Sequence, residues 1–140
     1  MRIIAALCTA IALLSGGANA STEIVAWVDI STQEMVVEVN GEPLHKWPVS
    51  TARPGKETPL GEWGVEWLSA KHKSSLYNNA PMPWSIFYNG DYAIHGTSQI
   101  SRLGSPASAG CVRLHPDNAK TLYKMVIKHG YDSLRVVVQQ

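Results

Sequence analysis

The dipeptide Asn40-Gly41 constrains the fold of this 140-residue chain more than any other pair. Both positions tolerate positive φ, which the two-residue turn of a β-hairpin requires. Before it, Ile24–Ile30 (IVAWVDI) and Glu34–Asn40 (EMVVEVN) are β-branched and partly alternating, the pattern of half-buried strands. After it, Glu42–Ser50 reads as the returning strand. A second signal of the same kind, Asn89-Gly90, joins a strand over Trp84–Tyr88 to one over Tyr92–His95.

The segments between these hairpins are read from their punctuation. Thr51–Lys56 is a loop by composition. In Thr58-Pro59-Leu60-Gly61-Glu62-Trp63 the proline ends that loop and the glycine permits a bend, leading into a strand over Glu62–Ser69. Ala70–Pro83 (AKHKSSLYNNAPMP) is polar, contains proline and shows no periodicity. It is too long for an ordinary connection and reads as a loop, either a lid over a cleft or a surface excursion. His72 within it is expected to be exposed, like His45 and His129. Near the C-terminus, His115-Pro116-Asp117 opens a helix, since proline suits the first turn and Asp117 the positive helix end. Ala119, Leu122, Tyr123, Val126 and Ile127 form its apolar stripe, Gly130 stops it, and Leu134–Val138 makes a last strand. The expectation is one mainly β domain of seven or eight strands with one principal α-helix.

The first twenty residues read differently. Met1-Arg2 is a short positive region, Ile3–Leu14 an apolar run, and Ala18-Asn19-Ala20 a small-x-small cleavage site. We expect a secretory signal peptide over 1–20 and the domain over 21–140. The apolar run is shorter than the roughly 20 residues of a spanning helix, so no membrane span is expected after cleavage. Export would remove Cys8 and leave Cys111 as the single thiol, unable to form an internal disulfide. The formal charge of +1 gives no footprint for nucleic acid.

A lone cysteine is most often a small buried hydrophobe. Here its neighbours argue for chemistry. Cys111 stands in Ser108-Ala109-Gly110-Cys111-Val112-Arg113-Leu114, among small residues that can expose a sulfur. His95, at the end of its strand in Ile94-His95-Gly96-Thr97, is placed to act as the base that a thiol nucleophile needs. Arg113, two residues past the cysteine, reads either as a carboxylate-binding group or as half of a structural ion pair.

These two segments, with Leu103-Gly104 between them and the Thr58-Pro59-Leu60-Gly61 landmark upstream, resemble the L,D-transpeptidase catalytic domain of the YkuD type. Many members carry a histidine directly before the Gly-Cys pair, where this chain has Ala109. The resemblance covers nearly the whole of 21–140 and implies a β-sandwich-like fold. It implies acyl transfer through a thioester on Cys111, with His95 taking and returning the proton, paired with the thiolate and lowering its pKa. The Gly96 carbonyl would orient the imidazole, and the N–H groups of Gly110 and Cys111 would receive the oxyanion. A loop over 70–83 would cover the cleft, making Tyr77, Met82 and Trp84 substrate contacts. The implied donor is a peptidoglycan tetrapeptide stem that loses D-Ala. The implied acceptor is a second stem, the lysine of an outer-membrane lipoprotein, or water. No cofactor and no metal are implied, and the place of action is the periplasm or another extracytoplasmic space. Set against this are a cell-wall cysteine endopeptidase or amidase, an inactive wall-binding module, and a zinc site built from His95, Cys111 and His115. No Cys-x-x-Cys or His-Glu-x-x-His accompanies that last set.

Overall fold

A computed structural model describes residues 21–140. The expected signal peptide lies outside the described residues. The Asn40-Gly41 turn forms as its composition requires, with φ of 50° and 82°. It joins β2 (Glu34–Val39) to β3 (Glu42–Pro48), and β2 also pairs antiparallel with β1 (Ile24–Asp29). On its other side β1 runs parallel to β9 (Leu134–Gln139), which pairs antiparallel with β4 (Gly61–Gly64). The order of this five-stranded sheet is β3-β2-β1-β9-β4.

The second sheet has the order β5-β6-β7-β8, from β5 (Trp67–Lys73), β6 (Pro81–Asn89), β7 (Tyr92–Gly96) and β8 (Val112–Leu114). The single strand expected over Glu62–Ser69 is thus two strands in different sheets. At Val65-Glu66 the chain leaves β9 for β6, and the Glu66 N–H donates to the Phe87 carbonyl. Ala70–Pro83 is likewise not one long loop. Its two ends belong to β5 and β6, paired from Trp67↔Phe87 to Lys73↔Pro81, leaving only Ser74–Ala80 as the turn. The segment lacks alternation because this hairpin runs out past β7, whose pairing with β6 reaches no further than Ile94↔Ile86. Pro81 and Pro83 fit there, since that part of β6 has a neighbour on one side only. Nine strands result among the described residues rather than seven or eight.

One core lies between the sheets and under the helix α1 (Pro116–His129). Ile24, Ala26, Val28, Met35 and Val37 enter it from the first sheet, and Ile86, Ile94, Val112 and Leu114 from the second. Each fully buried Val, Leu or Ile contributes roughly 1.5–3 kcal/mol. Ala119, Leu122 and Val126 of α1 are buried, whereas Ile127, expected in the stripe, turns to solvent at 61% exposure. The His115 ring caps the helix, Nδ1 accepting from the Asp117 N–H at 3.1 Å, and Gly130 ends it at φ 94°.

Candidate active site

Strand alternation builds the site. Ile94, Val112 and Leu114 point into the core, so Ala93 and His95 on β7 and Arg113 on β8 project from the outer face of the second sheet. The β7–β8 register sets Ile94 opposite Val112 and His95 opposite Arg113. Cys111, just before β8, is therefore level with Ala93 and packs against it with Met82 and Phe87. His95 and Cys111 are thus diagonal neighbours on one face of the sheet. Both line a cleft of about 560 Å³, with Arg113, Met82, Tyr77 and Asp91 around them.

The cysteine sits on a turn tied from below. Ser108 is fully buried, and its Oγ donates to the Cys111 carbonyl at 2.6 Å and accepts from the Gly110 N–H at 3.0 Å. Thr58, also buried, donates its Oγ1 to the Gly110 carbonyl at 2.8 Å and accepts from the Ala52 N–H at 3.0 Å. Gly110 has φ 139°, and a Cβ there would lie 2.7 Å from the Tyr92 ring and 2.9 Å from the Glu57 carbonyl. Only glycine fits. The Thr-Pro-x-Gly segment is therefore more than a turn: its threonine fastens the turn that carries Cys111. The Gly110 N–H, expected as an oxyanion donor, is already used by Ser108. The Cys111 N–H has no partner among the described residues and remains available.

His95 is buried, and its Nδ1 lies 2.7 Å from the Gly96 carbonyl, as expected of an orienting contact. A carbonyl can only accept, so Nδ1 carries the hydrogen and the Nε2 lone pair is left free. Burial pushes the His95 pKa down to about 4, the Gly96 contact opposing it and the Arg113 and His72 charges assisting. Burial pushes the Cys111 thiol up, against a backbone contact at Ala93 and the charge of Arg113, with the Asp91 charge raising it further. Sγ lies 3.6 Å from the Asp91 carbonyl oxygen, within reach of a thiol hydrogen bond. Both shifts favour the uncharged thiol and imidazole over the expected thiolate–imidazolium pair. Two charges in a buried pocket are disfavoured relative to two neutral groups.

Of the expected contacts, Tyr77 and Met82 line the cleft and Trp84 does not. Trp84 packs edge-on against Tyr123, with ring centroids 5.3 Å apart, and Lys120 Nζ lies 5.5 Å from its ring. Its φ of 57° is rare for so bulky a residue. That twist explains why Met82 and Phe87, five residues apart, share one cluster although regular alternation would set them on opposite faces. His72, expected to be exposed, is half-buried beside Phe87 at 4.9 Å and Trp67 at 5.4 Å. Arg113 has no carboxylate partner among the described residues; Nη1 donates to Gln99 Oε1 at 3.0 Å and the Ala107 carbonyl at 3.4 Å. Among the described residues no three His, Cys, Asp or Glu side chains group as metal ligands, and His115, the third member of the zinc reading, is the helix cap.

The sequence model of the L,D-transpeptidase catalytic domain, YkuD, matches residues 23–138. The chain belongs to that family. The YkuD protein of Bacillus subtilis (strain 168), named as an L,D-transpeptidase, is 22% identical over 103 residues, covering 71% of this chain and 58% of its own length. An L,D-transpeptidase from Mycobacterium smegmatis superposes with a TM-score of 0.75 at 23% identity, covering 85% of this chain and 59% of that one. L,D-transpeptidase 3 from Mycobacterium tuberculosis, solved with a faropenem-derived adduct, gives 0.74 at 18% identity, covering 85% and 61%. The chain thus spans about three fifths of the length of these L,D-transpeptidases, and the mainly β fold with one helix near the C-terminus is theirs.

Proposed function

We propose that this protein is an exported L,D-transpeptidase that is acylated on Cys111 by a peptidoglycan tetrapeptide stem. The observation that carries this reading is the common face of Cys111 and His95 at one cleft, with a neutral Nε2 free. As the thiol sulfur bonds to the stem's carbonyl carbon, His95 Nε2 takes the thiol proton and the carbonyl π electrons move to oxygen. The Cys111 N–H receives that oxyanion; one such donor is worth about 3 kcal/mol. The intermediate collapses as the C–N bond breaks, and the Nε2 proton passes to the departing amine of D-Ala. The thioester is then taken by the amine of a second stem, by a lipoprotein lysine, or by water. With His95 neutral above about pH 4, base catalysis needs no ion pair beforehand. Support for export comes from the apolar run and small-x-small site at 1–20.

The test is mass spectrometry of the protein after incubation with tetrapeptide and pentapeptide stems, and with faropenem. Tetrapeptides should add the stem less D-Ala to Cys111, pentapeptides should react poorly, faropenem should leave an adduct on the same sulfur, and Cys111→Ser should show none of these. Iodoacetamide should modify Cys111 at a rate that climbs continuously from pH 6 to 9, as a thiol with a raised pKa requires. A plateau across that range would restore the resting ion pair. Preference for the pentapeptide, or cleavage inside the stem, would replace the reading with a D,D-enzyme or an endopeptidase.

A further inference from the structure

The charges around the cleft are not evenly spread. Arg53 and Arg113 line it, against Asp91 as its one acid. Among the described residues neither arginine has a carboxylate within ion-pairing distance. The Arg113 guanidinium is steadied by two neutral oxygens, those of Gln99 and Ala107, which orient it without cancelling its charge. Arg53 is fixed to the nucleophile's loop through its backbone, its N–H donating to the Ser108 carbonyl at 2.9 Å. Burial presses the Arg113 pKa down, the Cys111 charge opposes that, and the charges of Arg53 and Arg102 add to the fall.

The sheet register orders these charges relative to the nucleophile. Asp91 precedes β7, on the near side of the level that Cys111 shares with Ala93. Arg113 is two residues beyond Cys111, opposite His95. Arg53 flanks β8 on the side away from β7, where Ser50 bridges Arg113 and Ala52 bridges Ser108. The cleft therefore has an acidic corner and a basic corner, with the sulfur between them.

We propose that Arg53 and Arg113 form a carboxylate subsite that holds the terminal carboxylate of the residue expelled from the acyl donor. The inference rests on the acyl-transfer reading above and adds to it which group of the donor is gripped, and by what. His95 must sit beside the departing amine in order to protonate it. In one amino acid the amine and the carboxylate are separated by a single α-carbon. An amine at His95 thus brings the carboxylate to Arg113, its cross-strand neighbour, with Arg53 closing on it from the flank. A second residue would carry the carboxylate on by about 3.5 Å. The arginine pair acts as a gauge of one residue, and length selection falls to it rather than to the 74–80 turn.

Two measurements test this, and they fail separately. The first compares Cys111 alkylation by iodoacetate and iodoacetamide, which differ by a carboxylate. Their rate ratio cancels any change in thiolate fraction. We expect the ratio to fall about tenfold in Arg53→Gln and again in Arg113→Gln, and to be kept in Arg53→Lys. An unchanged ratio in folded Arg53→Gln overturns the subsite. The second compares acylation by the tetrapeptide stem, by the same stem with a C-terminal amide, and by a stem with D-isoglutamine at position two. Slow reaction of the amide alone supports the assignment. Slow reaction of the isoglutamine stem alone overturns it, moving the arginine pair to the internal carboxylate. A protein that no stem acylates, but whose reagent ratio falls in the variants, refutes the transpeptidase reading while upholding a carboxylate subsite beside the thiol.

Discussion

The two walls of the cleft are built in opposite ways. On the Cys111 side, two buried hydroxyls and one glycine fix the turn, and every bond in that network is made without a ligand. On the hairpin side, the Ser74–Ala80 turn hangs beyond the sheet. Its own Ser74 holds it, with Oγ accepting from the N–H groups of Leu76 at 3.2 Å and Tyr77 at 3.1 Å. Leu76 is 66% exposed and Tyr77 47%. The Cys111 wall is thus set by packing, whereas the hairpin wall gains little by packing in the free protein. A reacting sulfur must be aimed to within a fraction of an ångström, and a covering strand need not be.

The strongest way to break this contrast is Gly110→Ala. The added methyl meets backbone and ring at 2.9 and 2.7 Å, at a φ that L-residues avoid. We expect a loss of about 3 kcal/mol, a Tm lower by roughly 10 °C, and acylation at least about 100-fold slower. A variant with normal melting and normal acylation would show that the turn is not fixed in this way. Thr58→Val is gentler. It keeps the shape but strips the Gly110 carbonyl and the Ala52 N–H of their partner, costing about 1–3 kcal/mol. Acylation should slow about tenfold through kcat rather than KM. Thr58→Ser, which keeps the hydroxyl, should recover most of it; failure of that rescue would reduce Thr58 to a packing residue. The smallest effect belongs to the other wall. Tyr77→Ala should leave the Tm within the change expected of a surface site, about 0.5 kcal/mol, while stem acylation weakens severalfold through KM. A large fall in Tm would mean that the hairpin tip is packed after all.

How much of this the sequence disclosed follows from the range of each signal. Asn40-Gly41, the β-branched runs and the helix stripe act over a few residues, and the hairpins, α1 and β9 appear where those signals set them. The alternation in Ile94-His95 and Cys111-Val112-Arg113-Leu114 already holds the site, since apolar and reactive positions trade places along each strand. What stayed hidden depends on partners far away in the chain. The division of 62–69 between sheets is decided by β9 and β6, which lie outside that segment. The 70–83 segment looked like a loop because its strands have one neighbour and little to bury. Trp84 lies off the cleft because its left-handed backbone shifts the face its strand presents, and nothing in its identity announces that φ. Ser108 and Thr58 gave only a faint cue, a hydroxyl beside the motif's small residues and another before a proline. Arg53, in a loop read only by its composition, gave none.

The place of β9 also bears on how the molecule is made. Among the described residues β9 is the last strand, yet it is an inner strand of its sheet, pairing with β1 across more than a hundred positions and with β4 on its other edge. During synthesis at 5–20 residues per second, β1 would present an unpaired edge for roughly 5–20 s before β9 exists to cover it. Non-local pairing of this kind also slows refolding, because a long loop must close before its contacts form. A newly made chain therefore carries an open β-edge, a surface suited to binding other strands, until β9 is made.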